Sequence, residues 1–246
     1  MKKIGNSINN TDWTDKFSML YHNIQYKETK RSTIAFEKFF RDKINNSKKI
    51  IDLGCGAGAA TSYISELHKE TIFKGIDYDQ KLVEIGNHHV NNKFSNTSFE
   101  QGDIFDLNKE DCDGVISLQT LSWISEYKHP LKQIFKNLQP NWIGISSLFY
   151  EGDISCKIEV NEHIKNRKVF YNVYSLPDVQ RFCKLHGYKI SNQTQFKIDI
   201  FIEKPLNKDI MGTYTQKVVH KSESNILQIS GPLLLNWYMV LIEKIQ

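Results

Sequence analysis

Lys48-Lys49-Ile50-Ile51-Asp52-Leu53-Gly54-Cys55-Gly56-Ala57-Gly58 is the stretch that decides how this chain is read. Two lysines lead into an apolar run, and the run ends in alternating glycines. The residues that follow, Ala59 to His68, carry Ile64 and Leu67 at helical spacing. The pattern is a buried strand, a tight turn and a helix. Glycines in such a turn permit backbone angles that other residues resist, and they leave room for a ligand against the main chain. Two glycine patterns fit at once. Gly54, Gly56 and Ala59 satisfy G-x-G-x-x-G/A, the dinucleotide fingerprint. Gly54, Gly56 and Gly58 satisfy G-x-G-x-G.

Asp52 helps to separate them. A carboxylate just before the first glycine opposes a pyrophosphate and favours a cationic ligand. S-adenosylmethionine carries a sulfonium and an ammonium, and it has no phosphate. The stretch Asp52-Leu-Gly-Cys-Gly-Ala-Gly58 resembles motif I of the class I S-adenosylmethionine-dependent methyltransferases, D/E-x-G-x-G-x-G, without departure. The resemblance is strong over residues 48–149 and weak at both ends.

Composition sets the outer bounds. The chain has 246 residues with 40% hydrophobic content, enough for one large domain or a domain with a cap. It lacks the long apolar run of a membrane span, and its start, Met-Lys-Lys-Ile-Gly-Asn-Ser, lacks that of a secretion signal. Cys55, Cys112, Cys156 and Cys183 are far apart, which argues against a metal site and suits a reducing cytoplasm. The net charge of +4 is too slight to argue for nucleic acid.

Ahead of the first strand, apolar residues recur at helical spacing twice, in Trp13 to Ile24 and in Ile34 to Ile44. Two helices are expected there. Strands are expected at Lys49–Leu53, Thr71–Asp77, Thr97–Gln101, Gly114–Leu118 and Trp142–Phe149, with helices between. Such alternation predicts a doubly wound, Rossmann-like parallel sheet. The resemblance implies seven strands with an antiparallel last one, read at Trp237–Ile245. Tyr150 to Tyr174 is polar and reads as an insertion over the site; Lys204 to Ser224 is a second excursion. Ser175-Leu-Pro-Asp178 opens a helix that stops at Gly187, and Ile198 to Ile202 is strand-like. The division is a single methyltransferase domain over 1–246: a helical cap at 1–46, a cofactor-binding core at 47–149, and substrate-covering insertions at 150–174 and 204–225.

Asp77 ends the second strand, at the spacing of a carboxylate that grips ribose hydroxyls. The resemblance implies the same role, sets Tyr78 beside the adenine, and makes Asp79 the start of a helix. It implies that Asp103, in Gln101-Gly-Asp103-Ile-Phe105, accepts from the adenine amino group, with Ile104 beside it. It places the methionine end at Leu118 and Gln119, and it adds Tyr21 from the first helix. Many relatives carry His where this chain has Trp123.

Methyl transfer from a sulfonium is a direct displacement, and the protein mainly aligns the nucleophile with the methyl carbon. A base helps if the acceptor is a hydroxyl. Glu151, Glu159 and His163 in the insertion are the candidates, with Glu151 and His163 carried forward as catalytic and the catalytic group otherwise unassigned. The acceptor is expected to be a small polar or phosphorylated molecule, with oxygen as its reacting atom, and neither nucleic acid nor membrane is expected as a partner. The stretches 212–216 and 227–233 resemble bacterial sugar- and capsule-modification methyltransferases, which extends the expectation to a capsule phosphoramidate. Two other readings stand beside this one. A nicotinamide-dependent oxidoreductase is supported by Gly54, Gly56, Ala59 and Asp77; its Tyr/Lys pair is imitated by Tyr26-x-x-x-Lys30, but ahead of the glycine loop. The other is a non-catalytic scaffold that binds S-adenosylmethionine.

Overall fold

A computed structural model of the chain describes residues 16–91, 93, 95–163, 167–204, 206, 213–220, 223–230, 233–234 and 237–245. The chain begins with helices α1 (Lys16–Lys27) and α2 (Arg31–Asn45). Then β1 (Lys49–Leu53), α3 (Ala59–Leu67), β2 (Ile72–Asp77), α4 (Gln80–Val90), β3 (Thr97–Gln101) and β4 (Gly114–Leu118) alternate. After α5 (Lys128–Gln133), one wider turn at Ile134–Leu138 leads into β5 (Trp142–Tyr150). Next come β6 (Glu159–Glu162), β7 (Arg167–Phe170), β8 (Tyr174–Ser175), α6 (Leu176–Leu185) and β9 (Tyr188–Phe196). The last elements are β10 (Thr213–His220), β11 (Glu223–Ser230), β12 (Leu233–Leu234) and β13 (Trp237–Lys244).

The main sheet runs β3-β2-β1-β4-β5-β13-β9, with β8 beside β5. The five strands from β3 to β5 pair in parallel, and β13 is antiparallel to both β5 and β9. This is the expected Rossmann-like sheet with its antiparallel strand. Its order turns at β1 and β4, so the carboxyl ends of those central strands are where a ligand of such a sheet binds.

Burial explains why the strands sit as they do. Phe36, Phe40 and Ile44, four residues apart along α2, are fully buried against Ile50, Phe73, Ile116 and Trp142 on one face of the sheet. Each such side chain contributes about 1.5–3 kcal/mol on leaving water. On the other face, Ile51, Leu53, Val115, Ile143 and Ile145 pack with Leu131, Ile134, Leu176 and Val179 of α5, its following turn and α6. Phe99 of β3 is pressed among glycines: a Cβ on Gly58 or on Gly75 would stand 2.3 Å from its ring, and one on Gly86 at 2.9 Å. Side chains at those positions would expel the ring and part α4 from the sheet. The helix starts are set locally. Asp79 caps α4 by accepting from the Lys81 N–H at 2.9 Å, and Ser175 caps α6 by accepting from the Asp178 N–H at 3.2 Å.

Two late segments differ from their sequence readings. Residues 198–202 are irregular, and the strand lies earlier, at β9. β9 is an edge strand with Asn192, Gln193 and Gln195 exposed, so its sequence lacks the apolar run that 198–202 displays. What holds it is backbone pairing with β13, which begins at Trp237↔Phe196 and ends at Lys244↔Tyr188. The segment read as an excursion at 204–225 contains β10 and the start of β11, which pair from Thr213↔Ser230 to His220↔Glu223.

The chain after β5 is also more buried than its polar composition suggests. It forms the β6–β7 hairpin and returns through Tyr171, Asn172, Val173 and Tyr174, all buried. Asn172 donates to the Ile124 carbonyl at 2.8 Å, and its side-chain oxygen accepts from the Ile158 N–H at 3.0 Å. One buried amide thus ties the hairpin to the turn after β4. Asn172→Ala is expected to lower stability by about 1–3 kcal/mol, since it leaves the Ile158 N–H without its acceptor and the Ile124 carbonyl with the Tyr174 hydroxyl alone. Denaturant unfolding checks the loss, and hydrogen exchange should show faster exchange at Ile158 than in β1.

Candidate functional site

The glycine loop starts where β1 ends. Gly54, Gly56 and Gly58 have φ of +73°, +57° and +82°, and Gly58 is the residue from which α3 starts. These left-handed angles favour glycine. Gly54 is also held by contact, because a Cβ there would lie 2.4 Å from the Thr120 side chain. Gly56 differs. The nearest atom to its Cβ direction is His22 Cε1 of α1, at 3.6 Å, so the loop has room on that side.

The loop's own N–H groups are already engaged. Gly54 donates to the Ile76 carbonyl at 2.8 Å, Gly56 to Asp77 Oδ2 at 2.7 Å, and Gly58 to the Cys55 carbonyl at 3.0 Å. A pyrophosphate on a dinucleotide loop needs such donors turned outward. Here they turn inward, and those of Gly54 and Gly56 bind the loop to β2. Asp77 takes a second N–H from Asp79, at 3.0 Å on Oδ1. Each carboxylate oxygen accepts more than one bond, so these two bonds orient Asp77 and leave it able to meet a pair of hydroxyls. Burial raises its pKa; the Asp79 and Gly56 N–H groups oppose that rise.

Asp52 lies below the loop, 2% exposed. Its Oδ2 accepts from the Thr61 hydroxyl at 2.5 Å, and its Oδ1 is buried without a hydrogen-bond partner among the described residues. Desolvation lifts its pKa from 3.8 to about 7. A buried carboxylate with one oxygen unmet is matched by a cation or a donor, and mismatched by a phosphate. The Cys55 thiol is pushed well above its ordinary range by burial and by both acids, which keeps it unreactive.

The other candidate residues surround this floor. Gly102 N–H donates to the Asp77 carbonyl at 2.9 Å and so brings the loop after β3 to the end of β2. Asp103 Oδ1 accepts from the Phe105 N–H at 2.9 Å, shaping its own turn. Tyr78 is half-buried, and its carbonyl accepts from the Gln101 side chain at 3.1 Å. Ile104 is half-buried and packs toward the α5 side of the core, whereas Leu118 packs toward α2. Gln119 has φ of +63°, an angle few non-glycine residues adopt, and a strain of about 1–2 kcal/mol attends it. It persists at the carboxyl end of a central strand, where strained residues gather at working sites.

Helix α1 closes over the loop. The Tyr26 hydroxyl donates to the Ala57 carbonyl at 2.5 Å, and its ring stacks on His89 of α4 at 3.8 Å between centroids. Burial moves the Tyr26 pKa up to about 12, so it stays a neutral donor. Tyr21, expected at the cofactor, lies on α1, but its side chain falls outside the described residues. Sequence reasoning missed Tyr26, Thr61 and Thr120 as parts of the site. Tyr26 and Lys30 had stood out only as an imitation of a reductase pair. In the fold they reach different places, Ala57 and Gln119.

Glu151 directly follows the carboxyl end of β5, and His163 directly follows β6. Glu151 is exposed and accepts from the Tyr238 hydroxyl at 3.3 Å, and His163 is exposed beyond the end of β6. Glu159 pairs with Lys168 across the hairpin at 2.9 Å. Trp123 stands edge-on to Tyr171, 4.9 Å between centroids, in the apolar group beneath that hairpin.

A Rossmann-like sheet with an inward-bonded glycine loop, a buried Asp52 and a half-buried Asp77 at its switch point is an arrangement that suits a nucleoside bearing a cationic group. Comparison with known proteins agrees. The family described as "Methyltransferase domain" matches residues 44–217, and the chain belongs to it. The malonyl-[acyl-carrier protein] O-methyltransferase of Bacillus anthracis is 28% identical over 130 residues, 52% of this chain and 47% of that protein. The chain thus spans about half of that relative's length. The 235L protein of Invertebrate iridescent virus 6, named as a methyltransferase, is 35% identical over 203 residues, 67% of this chain and 75% of that one. The structure of a Burkholderia thailandensis 1,6-didemethyltoxoflavin-N1-methyltransferase, with that compound and S-adenosylhomocysteine bound, superposes with a TM-score of 0.58 at 14% identity. It covers 94% of this chain and 86% of that one. S-adenosylmethionine is therefore the cofactor, and the residues present fit it: Asp52 and the inward loop suit its cations, and Asp77 suits a ribose.

The state of Asp52 makes a testable difference. Its folded pKa is about 7 against an ordinary 3.8, so the folded chain keeps a proton that the unfolded chain releases. Its contribution to stability therefore falls as pH rises between those values, and it is fully present only below the lower one. Denaturant unfolding of the ligand-free protein from pH 4 to 7 should show Asp52→Asn gaining on the wild type as pH rises. A constant difference between the two would mean that Asp52 does not titrate in that window.

Proposed function

We propose that the protein transfers a methyl group from S-adenosylmethionine to an oxygen of a small, polar, anionic acceptor. The observation that carries the cofactor half is the inward bonding of the glycine loop onto Asp77, above the half-met carboxylate of Asp52. In this reading Asp77 grips the ribose, Tyr78 flanks the adenine, and Asp103 and Ile104 meet its edge. Leu118 and Gln119 run beneath the methionine part, and Tyr21 joins them from α1. When bound, the cofactor supplies an activated methyl carbon on a good leaving group. The chain's own residues hold the reactants in line and shield them from water.

The acceptor half rests on what surrounds the cradle. Glu151 and His163 are exposed, and Glu151 already accepts from the Tyr238 hydroxyl, which supports an oxygen that needs no base. A carboxylate or phosphate oxygen is already an anion and meets that condition. The relative named as a malonyl-[acyl-carrier protein] O-methyltransferase supports oxygen as the accepting atom. A sugar or capsule phosphoramidate belongs to the same chemical range, but its support is confined to stretches 212–216 and 227–233, parts of which lie outside the described residues. The low net charge of +4 supports a small acceptor over nucleic acid. The free state of Cys55, Cys112, Cys156 and Cys183 supports a reducing, cytoplasmic setting.

Calorimetry should show binding of S-adenosylmethionine and S-adenosylhomocysteine, and none of NAD. Binding of NAD alone would overturn the reading. Asp77→Ala removes charge-assisted bonds to the ribose and frees Gly56 and Asp79, so affinity for S-adenosylhomocysteine should fall by about tenfold or more. Asp77→Asn keeps one acceptor and should fall less. Mass spectrometry of small molecules incubated with the protein and cofactor should show one of them gaining a single methyl group.

A further inference from the structure

An aromatic surface adjoins the site on its β5 side, away from Asp77. Leu148 of β5, Trp237 of β13 and Phe196 of β9 stand opposite one another across the sheet, near the carboxyl end of β5. Leu148 and Trp237 are buried, and Phe196 is half-buried. Tyr150, two residues after Leu148, shares its face by strand alternation and is 48% exposed. The return of the β6–β7 hairpin adds Tyr171, and Trp123 stands edge-on to it. Trp123 is itself half-buried. The group thus has a packed floor and, in Trp123, Tyr150 and Phe196, a partly exposed rim.

Trp123 is tied to the cofactor loop. The Thr120 side chain occupies the space beside Gly54, and the Thr120 carbonyl accepts from the Trp123 N–H at 2.9 Å, closing the short turn Leu121–Trp123. Such a turn rises about 2 Å per residue, which sets Trp123 about 6 Å along from Thr120. Ser122 fixes the turn to its surroundings. Its hydroxyl shares a 2.6 Å bond with that of Ser147 and accepts from the Leu148 N–H at 2.9 Å, and its carbonyl accepts from the Asn172 N–H at 2.8 Å. A partly exposed indole is thereby held one turn from the loop, where a reactant must be positioned.

We propose that this surface takes the body of the methyl acceptor, and that this body is a flat, unsaturated ring carrying the anionic oxygen. The proposal rests on the methyltransferase reading and goes beyond it. The anion defines the reacting atom; the aromatic surface defines what the anion is attached to. Indole and phenol rings favour offset or edge-to-face contact with another ring. A small dianion gains nothing from them and loses water. Trp123 and Tyr150 act in binding and specificity, and no proton moves through them.

Titrations followed by NMR, on the full chain saturated with S-adenosylhomocysteine, compare three carboxylates. Benzoate has a flat ring, cyclohexanecarboxylate a saturated ring with as many carbons, and malonate no ring. Benzoate should bind about tenfold more tightly than either of the others. Trp123→Leu keeps apolar bulk without a ring and should remove most of that preference, while Trp123→Phe should retain most of it. Tyr150→Leu, at an exposed position, should lower it in part. All three variants should bind S-adenosylhomocysteine as the wild type does. The proposal is overturned if malonate or cyclohexanecarboxylate matches benzoate, or if Trp123→Leu keeps the preference. It is also overturned if affinity for S-adenosylhomocysteine falls in parallel with that for benzoate, which marks a purely structural role. A wild-type protein that binds no S-adenosylhomocysteine overturns the methyltransferase reading itself, whereas one that binds it without preferring benzoate overturns this proposal alone.

Discussion

The hydrogen bond from the Gly56 N–H to the Asp77 carboxylate, at 2.7 Å, is the contact on which the site depends. It joins the turn after β1 to the end of β2, and the Gly54 N–H bond to Ile76 reinforces it. Together they hold the loop so that its donors face the protein. The loop's conformation requires glycine, and the bond requires an acid at the end of the neighbouring strand. Neither feature explains the site alone. A glycine turn without Asp77 would present unpaired N–H groups and invite an anion. An acid without the turn would have no reason to point along the strand ends.

Packing keeps this contact in place. β1 and β2 are in register from Lys49↔Ile72 to Leu53↔Ile76, so their carboxyl ends finish level. Phe99 lies against the places where Gly58, Gly75 and Gly86 lack side chains, which draws β3 and α4 up to the loop. Thr120 fills the corresponding gap at Gly54 and donates to its carbonyl at 3.1 Å. The cradle is therefore bounded by β2, β3, β4 and α4, each approaching glycine. Core packing of this density transmits small changes, so the cofactor loop is coupled to the sheet as a rigid body.

Electrostatics then divides the site into two sides. Asp52 and Asp77 are both pushed upward by burial, Asp52 to about 7. A cation entering above them favours their charged forms and so opposes that rise. The roof is made by α1 and α2, with Tyr26 bonded to Ala57 and Lys30 reaching Gln119. Of the side chains nominated as bases, Glu151 and Glu159 are engaged by Tyr238 and Lys168. That placement is what directs the acceptor reading toward an oxygen that is already charged.

Much of this could be read from the sequence, for reasons that are local. Motif I, the alternation of strands and helices, the cap residues Asp79 and Ser175 and the stop at Gly187 all depend on neighbours within a few residues. So the parallel core and the floor residues Asp52, Gly54, Gly56, Gly58 and Asp77 were legible. The edge strand β9 was not, because it is held by backbone pairing to β13 some fifty residues on, with a polar surface that carries no apolar period. The hairpin β10–β11 pairs locally, His220 opposite Glu223, but its exposed residues from Gln216 to Val219 show no alternation to mark a strand. Tyr26 and Lys30 showed only as a misplaced reductase pair and Thr120 not at all, since what gives them a place is proximity across the fold. Local chemistry wrote the strand, the turn and the caps; only long-range burial and pairing decided which distant side chains close over them.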